Sequence, residues 1–331
     1  MIDIIEVGPR DGLQNVKEVL PTGQKKALIQ FLLDAGFKNC EAGAFVRADK
    51  VPAMADSADI ATHFKKDSNR LWYLTPNQKG LEQALDSGCR QLAFFTAPSE
   101  VFNEKNIGMS VEKGLLNIKS CIEYLKDKNY TLVTDWNRDL VPSPLVGDPI
   151  KRGQQAGGQG EGQKIKLRLY ISTVIASPFE GAVSPKATVK IMEELLPLGF
   201  AQVSLGDTIG VGVPKNWKVL LKEINKLDKK LIPTSKIAMH CHDTYGTALA
   251  NVAEGLNQEV QAFDSSIGGL GGCPYAPGAT GNLATEDLVY FLEKEGLKTE
   301  VKLDNLLKAF DPSRTGSLCN NSKVAKAIGR I

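Results

Sequence analysis

The sequence predicts an α/β chain folded as a (β/α)8 barrel. Three observations predict it. Short apolar runs alternate with longer helical patterns eight times along the chain. Several of the helical stretches end in the same glycine signal, and polar, ionisable residues gather just past the ends of the strand-like runs.

Taken in order, the strands are read at Ile2–Val7, Asn39–Val46, Leu71–Leu74, Gln91–Phe95, Lys166–Ile171, Gln202–Leu205, Lys236–Met239 and Gln261–Ser266. Between them, Gln24–Ala35, Lys79–Ser87, Ser110–Lys126 and Pro185–Leu196 place apolar residues at three-to-four spacing, the period of a helix face. Gly36, Gly88 and Gly199 follow such stretches, where a left-handed C-cap ends a helix and releases the next strand. A doubly wound sheet is the competing topology. It would place an open glycine turn for phosphate after the first strand, whereas Gly8-Pro9-Arg10-Asp11-Gly12 puts proline and two charges there.

One stretch breaks the alternation. Residues 135–163 are rich in Pro, Gly and charge and too poor in apolar residues for a core of their own. They read as a flexible insertion between the fourth helix and the fifth strand, near the active rim, inside a barrel domain of residues 1–300. Residues 301–331 read as a C-terminal extension of short helices packed beside the barrel mouth.

The chain has 331 residues, 42% of them hydrophobic, enough for a large core. Lys+Arg total 40 against 38 Asp+Glu, a formal charge of +2, which gives no global attraction to nucleic acid or membrane. No apolar run reaches the roughly 20 residues of a membrane span, and the acidic start lacks the pattern of a signal peptide. The six cysteines form no C-x-x-C pair. Together these point to a reducing, cytoplasmic setting. Cys40, Cys89, Cys121 and Cys241 read as small packed hydrophobes, His63 as solvated, and Trp72 and Tyr73 as core.

A barrel of this kind carries its reactive groups at the C-terminal ends of its strands. The first strand delivers Arg10 and Asp11, with Gln14 a turn later, and the second carries Glu41. The fifth brings Tyr170, Ser172 and Thr173, the sixth Asp207 and Thr208, the seventh His240 and His242. Beyond the eighth lie the glycine-rich run around Cys273 and then Asn282. His240 and His242 stand at i and i+2 at a strand end, so their imidazoles share a side. Two such rings can grip one divalent ion, or can be ordinary hydrogen-bonded rim residues. With Asp11 and Asn282 they make a mixed nitrogen and oxygen set without thiolate, which suits Mg2+ or Mn2+ as well as Zn2+. Arg10 reads either as a salt-bridge partner or as a cation aimed at a developing oxyanion. Glu41, inward among small residues, needs a partner, and Arg10 is the obvious one. Asp207 is either catalytic or a cap for the following helix. Cys273 is a proton donor or redox-sensitive thiol on a closing loop, or a small loop residue without a role.

Five motifs carry a resemblance. Glu6–Asn15, Glu41–Val46, Ser204–Gly210, His240–Gly246 and the run Gly268–Ala276 followed by Gly281–Asp287 resemble, in order, segments of the 3-hydroxy-3-methylglutaryl-CoA lyase family, from residue 2 to about 296. The Arg-Asp opening and the His-x-His pair are shared with wider metal-dependent lyase and Claisen-synthase barrels; the glycine loop with Cys273 narrows the likeness to the lyases. The resemblance implies cleavage of 3-hydroxy-3-methylglutaryl-CoA to acetyl-CoA and acetoacetate. It implies Mg2+ or Mn2+ on Asp11, His240, His242 and Asn282, with Asp11 or His240 as base. Arg10 would sit at the enolate oxygen, held by Glu41. Asp207 would tune a ligand or shuttle a proton, and Cys273 would protonate the enolate or gate the site. Gln14, Tyr170 and Thr208 would contact substrate. A homodimer is implied as well. The chain departs from the family in its 135–163 insertion, which could alter access for the CoA arm, and in lacking cysteines after the fifth strand. Two other readings compete: an aldolase or Claisen synthase acting on 2-oxo acids, and a barrel that only binds acyl-CoA or a partner.

Overall fold

The computed structural model describes residues 1–14, 16, 18–136, 163–228, 233–272, 281–310 and 321–327. Eight parallel strands form the predicted barrel: β1 (Asp3–Glu6), β2 (Asn39–Ala44), β3 (Leu71–Leu74), β4 (Gln91–Thr96), β5 (Lys164–Ile171), β6 (Gln202–Asp207), β7 (Ile237–Cys241) and β8 (Ala262–Ser265). Neighbours follow chain order. The ring shuts where β8 pairs with β1, Asp3 opposite Ala262, and where β4 runs beside β5, from Gln91 opposite Lys166 to Thr96 opposite Ile171.

Outside the ring lie α1 (Thr22–Asp34), α2 (Ser57–His63), α3 (Gln78–Asp86), α4 (Glu100–Ile107), α5 (Val111–Asp127), α6 (Pro185–Leu195), α7 (Pro214–Ile224), α8 (Ala248–Asn257) and α9 (Thr285–Lys294). Their starts are encoded locally. Asn77, Ser99 and Ser110 accept from the backbone N–H of Gly80, Phe102 and Lys113, while Pro185 and Pro214 occupy first-turn positions where no N–H is needed. Gly36, Gly88 and Gly199 all have left-handed φ, as the C-cap reading required. α5 buries Leu115, Ile118, Ile122 and Leu125 against the sheet, each a side chain whose burial is worth roughly 1.5–3 kcal/mol. Cys40, Cys89, Cys121 and Cys241 are buried and unbridged, as read from the sequence. His63 is exposed, edge-on to Phe64.

Strand alternation sorts the remaining residues. On β7, Met239 faces α8, where a Cβ at Gly255 would meet its sulfur, so Ala238 and His240 face inward. On β5, Leu167, Leu169 and Ile171 join the outer core while Arg168 and Tyr170 join the interior.

After α5, Thr131–Leu132 pairs beside Lys164–Ile165, and the chain reaches Trp136 at the N-terminal mouth of the barrel. There the Trp136 indole donates to Asp3 Oδ2 (2.6 Å) and Lys166 Nζ donates to the Trp136 carbonyl (2.9 Å). These anchors hold the described ends of the insertion, which was expected near the active rim, at the other mouth. A helix-to-strand connection emerges at the mouth opposite the reactive loops, and both ends of this one do. Residues 137–162 lie outside the described residues. At the chain's end, α10 (Leu303–Leu306) and α11 (Lys323–Ala327) follow α9. Asp287 accepts from the Ser322 hydroxyl and from the N–H groups of Lys323 and Val324, and Asn321 N donates to Gly268 O (2.7 Å).

Candidate active site

The loop after β1 is a single π-helical turn, Gly8–Gly12, in which Asp11 N donates to Val7 O at 2.7 Å. Such turns are rare and re-aim side chains. This one sets Arg10 and Asp11 together at the C-terminal mouth. Asp11, His240 and His242 are buried, and each offers one ligand atom within 4.8 Å of the others. The shared side read for the two imidazoles is therefore observed. The fourth predicted ligand, Asn282, bridges antiparallel to His242 and donates through its amide to Asp11 Oδ2 (2.7 Å) and Leu270 O (3.0 Å), so its Oδ1 is the atom left for a cation. Gly271 makes room for it: a Cβ there would lie 2.5 Å from Asn282 Nδ2.

The electrostatics suit a divalent ion. Burial alone would raise Asp11, yet Arg10, His240 and His242 outweigh it and bring its pKa to about 2, so the carboxylate stays ionised. Burial, aided by neighbouring His240, drops His242 to about 4, which keeps that imidazole neutral, and its Nδ1 is buried without a partner. His240 differs. Its Nδ1 lies 3.2 Å from Asp264 Oδ2, and since a carboxylate only accepts, Nδ1 carries the proton and Nε2 offers its lone pair. Burial opposes charging of His240, but the Asp264 bond prevails and raises its pKa.

Beneath these residues runs a buried polar network. Arg10 Nε donates to Glu41 Oε2 (2.6 Å) and its Nη1 to Asp11 Oδ1 (2.7 Å). The Glu41–Arg10 pairing expected from sequence is thus present. Glu41 Oε1 accepts from the Tyr170 hydroxyl (2.5 Å), a phenol that burial holds neutral. Arg168, fully buried, donates Nε to Gln202 Oε1 (2.7 Å) and other hydrogens to Tyr170 and Asp264, while Ser204 Oγ donates to Asp264 Oδ2 (2.8 Å). Arg168 and Asp264 were not singled out from the sequence. Their signal was a charge alternating with apolar residues in mid-strand, at Leu167-Arg168-Leu169 and Phe263-Asp264-Ser265.

All of this opens into a cavity of about 1680 Å3 lined by Arg10, Asp11, Gln14, Tyr170, Thr208, His240 and His242. Gln14 Nε2 donates to Asp11 (3.0 Å), and Thr208 Oγ1 accepts from Thr173 N (2.8 Å). The profile of the HMGL-like family matches residues 1–311. The chain belongs to the HMGL-like family. Among relatives of this HMGL-like enzyme, the mitochondrial hydroxymethylglutaryl-CoA lyase of Bos taurus is 39% identical over 337 residues, covering 100% of this chain and 90% of its own. The cytoplasmic 3-hydroxy-3-methylglutaryl-CoA lyase of Mus musculus is 37% identical over 328 residues, covering 98% and 84%. A solved HMG-CoA lyase from Acinetobacter baumannii, in complex with coenzyme A and 3-methylmalate, superposes with a TM-score of 0.81 at 30% identity, covering 99% of this chain and 95% of its own.

Of the other predicted residues, Asp207 stands apart from this cluster. The Asp207 carboxylate accepts from Val211 N (3.2 Å) and Gly212 N (2.8 Å) in the loop ahead of α7, whose N-cap is Val213, so Asp207 ties the loop and does not cap the helix; burial raises its pKa to about 6. Cys273 lies outside the described residues. No helix among those residues is long and apolar enough to cross a membrane.

Proposed function

We propose that the protein cleaves 3-hydroxy-3-methylglutaryl-CoA to acetyl-CoA and acetoacetate with a divalent ion on Asp11, His240, His242 and Asn282. The single observation that carries this is the buried Asp11–His240–His242 triad at the strand ends, with Arg10 beside it. The relatives' names support the choice of substrate. The cavity supports it too, since it exceeds the roughly 300–1,000 Å3 of a small-ligand site and leaves room for a CoA arm. Mg2+ or Mn2+ suits the donor set, which has no thiolate.

When bound, the ion supplies Lewis acidity that lowers the pKa of the substrate's tertiary hydroxyl. The chain's residues do the rest. Of the two candidate bases, Asp11 keeps a second carboxylate oxygen beside that hydroxyl, whereas His240, protonated on Nδ1 toward Asp264 and with Nε2 given to the ion, has no lone pair left. As the hydroxyl proton leaves, the C–C bond breaks, the oxygen's electron pair forms the ketone of acetoacetate, and the bonding pair passes to the acetyl-CoA fragment as an enolate. Arg10, held rigid by Glu41, faces the enolate oxygen. Cys273 donates the proton that completes the acetyl methyl group. Gln14, Tyr170 and Thr208 line the path of the acyl chain. Asp207 fixes the loop that carries Thr208. A homodimer follows from the resemblance and a cytoplasmic site of action from the scattered cysteines without a C-x-x-C pair, and sedimentation of the purified chain tests the first.

The test is a coupled assay for acetoacetate. Purified protein should release it from 3-hydroxy-3-methylglutaryl-CoA, lose activity to a chelator and regain it with Mg2+ or Mn2+. Chelator-resistant turnover, or condensation of acetyl-CoA with a 2-oxo acid in its place, would overturn the reading.

A further inference from the structure

Asp264 orients His240, and Arg168 holds Asp264. Below Arg168 the barrel is not closed by its own strands. The floor side chains Ala201, Ala238 and Ala262 are small, and with Ile5, Val7 and Trp72 they form one apolar cluster that takes in an indole from elsewhere, that of Trp136. This ring stacks on Trp72 (centroids 5.2 Å apart, planes 20° apart), donates to Asp3, and lies 6.0 Å from the guanidinium carbon of Arg168. It belongs to no strand and sits where the chain leaves the barrel for residues 137–162.

We propose that Trp136 is a positioning residue for the metal centre: it plugs the barrel floor and keeps Arg168 dry, so that Arg168 holds Asp264 firmly behind His240. This rests on the metal-dependent reading above. The grip of a guanidinium on a carboxylate grows steeply as water is withdrawn. A closed sheet cannot collapse onto three alanines, so a truncated Trp136 leaves a void. Asp3, Asn39 and Lys166 edge that void with polar atoms, and water enters such a space. Water there competes for the Arg168 hydrogens, Asp264 loosens, and His240 is freed to carry its proton on either nitrogen.

The experiment compares wild type with Trp136→Ala, Trp136→Leu and, as a control of similar stability loss, Leu220→Ala in the outer layer. Two readouts are taken: Mn2+ affinity by water-proton relaxation, and the His240 tautomer by 15N NMR of metal-free protein. Trp136→Ala should weaken Mn2+ binding about tenfold and mix the His240 tautomers, with added indole restoring part of both. Leu220→Ala should bind Mn2+ as wild type does. Trp136→Leu, which keeps an apolar side chain but no ring, should fall between and carries the test if the alanine variant does not fold. Wild-type affinity and a single tautomer in the Trp136 variants, or an equal loss in Leu220→Ala, would overturn the proposal. A wild-type protein that binds no Mn2+ would overturn the metal-dependent reading instead.

Discussion

At the scale of single residues, the site depends on which atom each neighbour leaves free. Asp264 only accepts, so it fixes the proton of His240 on Nδ1. Asp264→Asn keeps the shape but can turn an N–H toward Nδ1, which favours the tautomer with its proton on Nε2. Mn2+ affinity should then fall about 10–100-fold, with a loss of thermal stability as well because buried Arg168 loses its ion-pair partner; unchanged affinity by titration of the folded variant would remove Asp264 from the site. Arg10 is held by Glu41 and Asp11, with its guanidinium carbon 5.4 Å from the centre of the Tyr170 ring, and it projects toward the cavity. Arg10→Gln should therefore lower kcat by roughly 10²–10³-fold, the loss typical of one oxyanion donor, with KM little altered. A rise confined to KM would make Arg10 a binding residue rather than a catalytic one.

At the scale of elements, two loops that flank the site are tied by buried carboxylates. Glu6 accepts from Gly8 N (2.7 Å), Ile267 N (2.9 Å) and the Thr285 hydroxyl (2.7 Å), and Glu286 accepts from Gly268 N (3.0 Å). Burial raises Glu6 to about 7 and Glu286 to about 8, from an ordinary 4.5. Between those values the native state holds protons that the unfolded chain has lost, so the stability from these groups is full below 4.5 and falls as pH rises through 7 and 8. The urea midpoint should thus drop between about pH 5 and about pH 9, and less steeply in Glu286→Gln; an unchanged slope would show that Glu286 titrates normally. The sequence made the strand ends legible because the barrel rule says where to look. It hid the layer below. Arg168 and Asp264 lie in mid-strand, where a charge reads as a break in an apolar pattern. α2, α4, α7, α8 and α9 were not named from the sequence, although α4 carries a local signal in its Ser99 cap.

At the scale of the whole molecule, the closed ring brings Asp11 and Asn282 to one mouth although 271 positions separate them. That closure was legible, since eight alternating units and one polar rim leave few other topologies. The 135–163 insertion was expected near the active rim, yet its described ends leave from the opposite mouth, as the same rule requires: a strand's leading end points away from the chemistry. Its anchors at Trp136 and Lys166 sit at that far mouth. Replacing residues 139–160 with a short Gly-Ser linker, Trp136 retained, should leave the KM for the acyl-CoA within about twofold. A large rise would mean that the segment reaches round to the substrate. The claim on which everything else depends is that one divalent ion sits among Asp11, His240 and His242. Anomalous diffraction from a crystal soaked in Mn2+ tests it most directly. The account predicts one strong peak about 2.1 Å from a carboxylate oxygen of Asp11 and from one nitrogen of each histidine, with Asn282 Oδ1 turned toward it. A soaked crystal with no peak there, and the two imidazoles turned from Asp11, would contradict it.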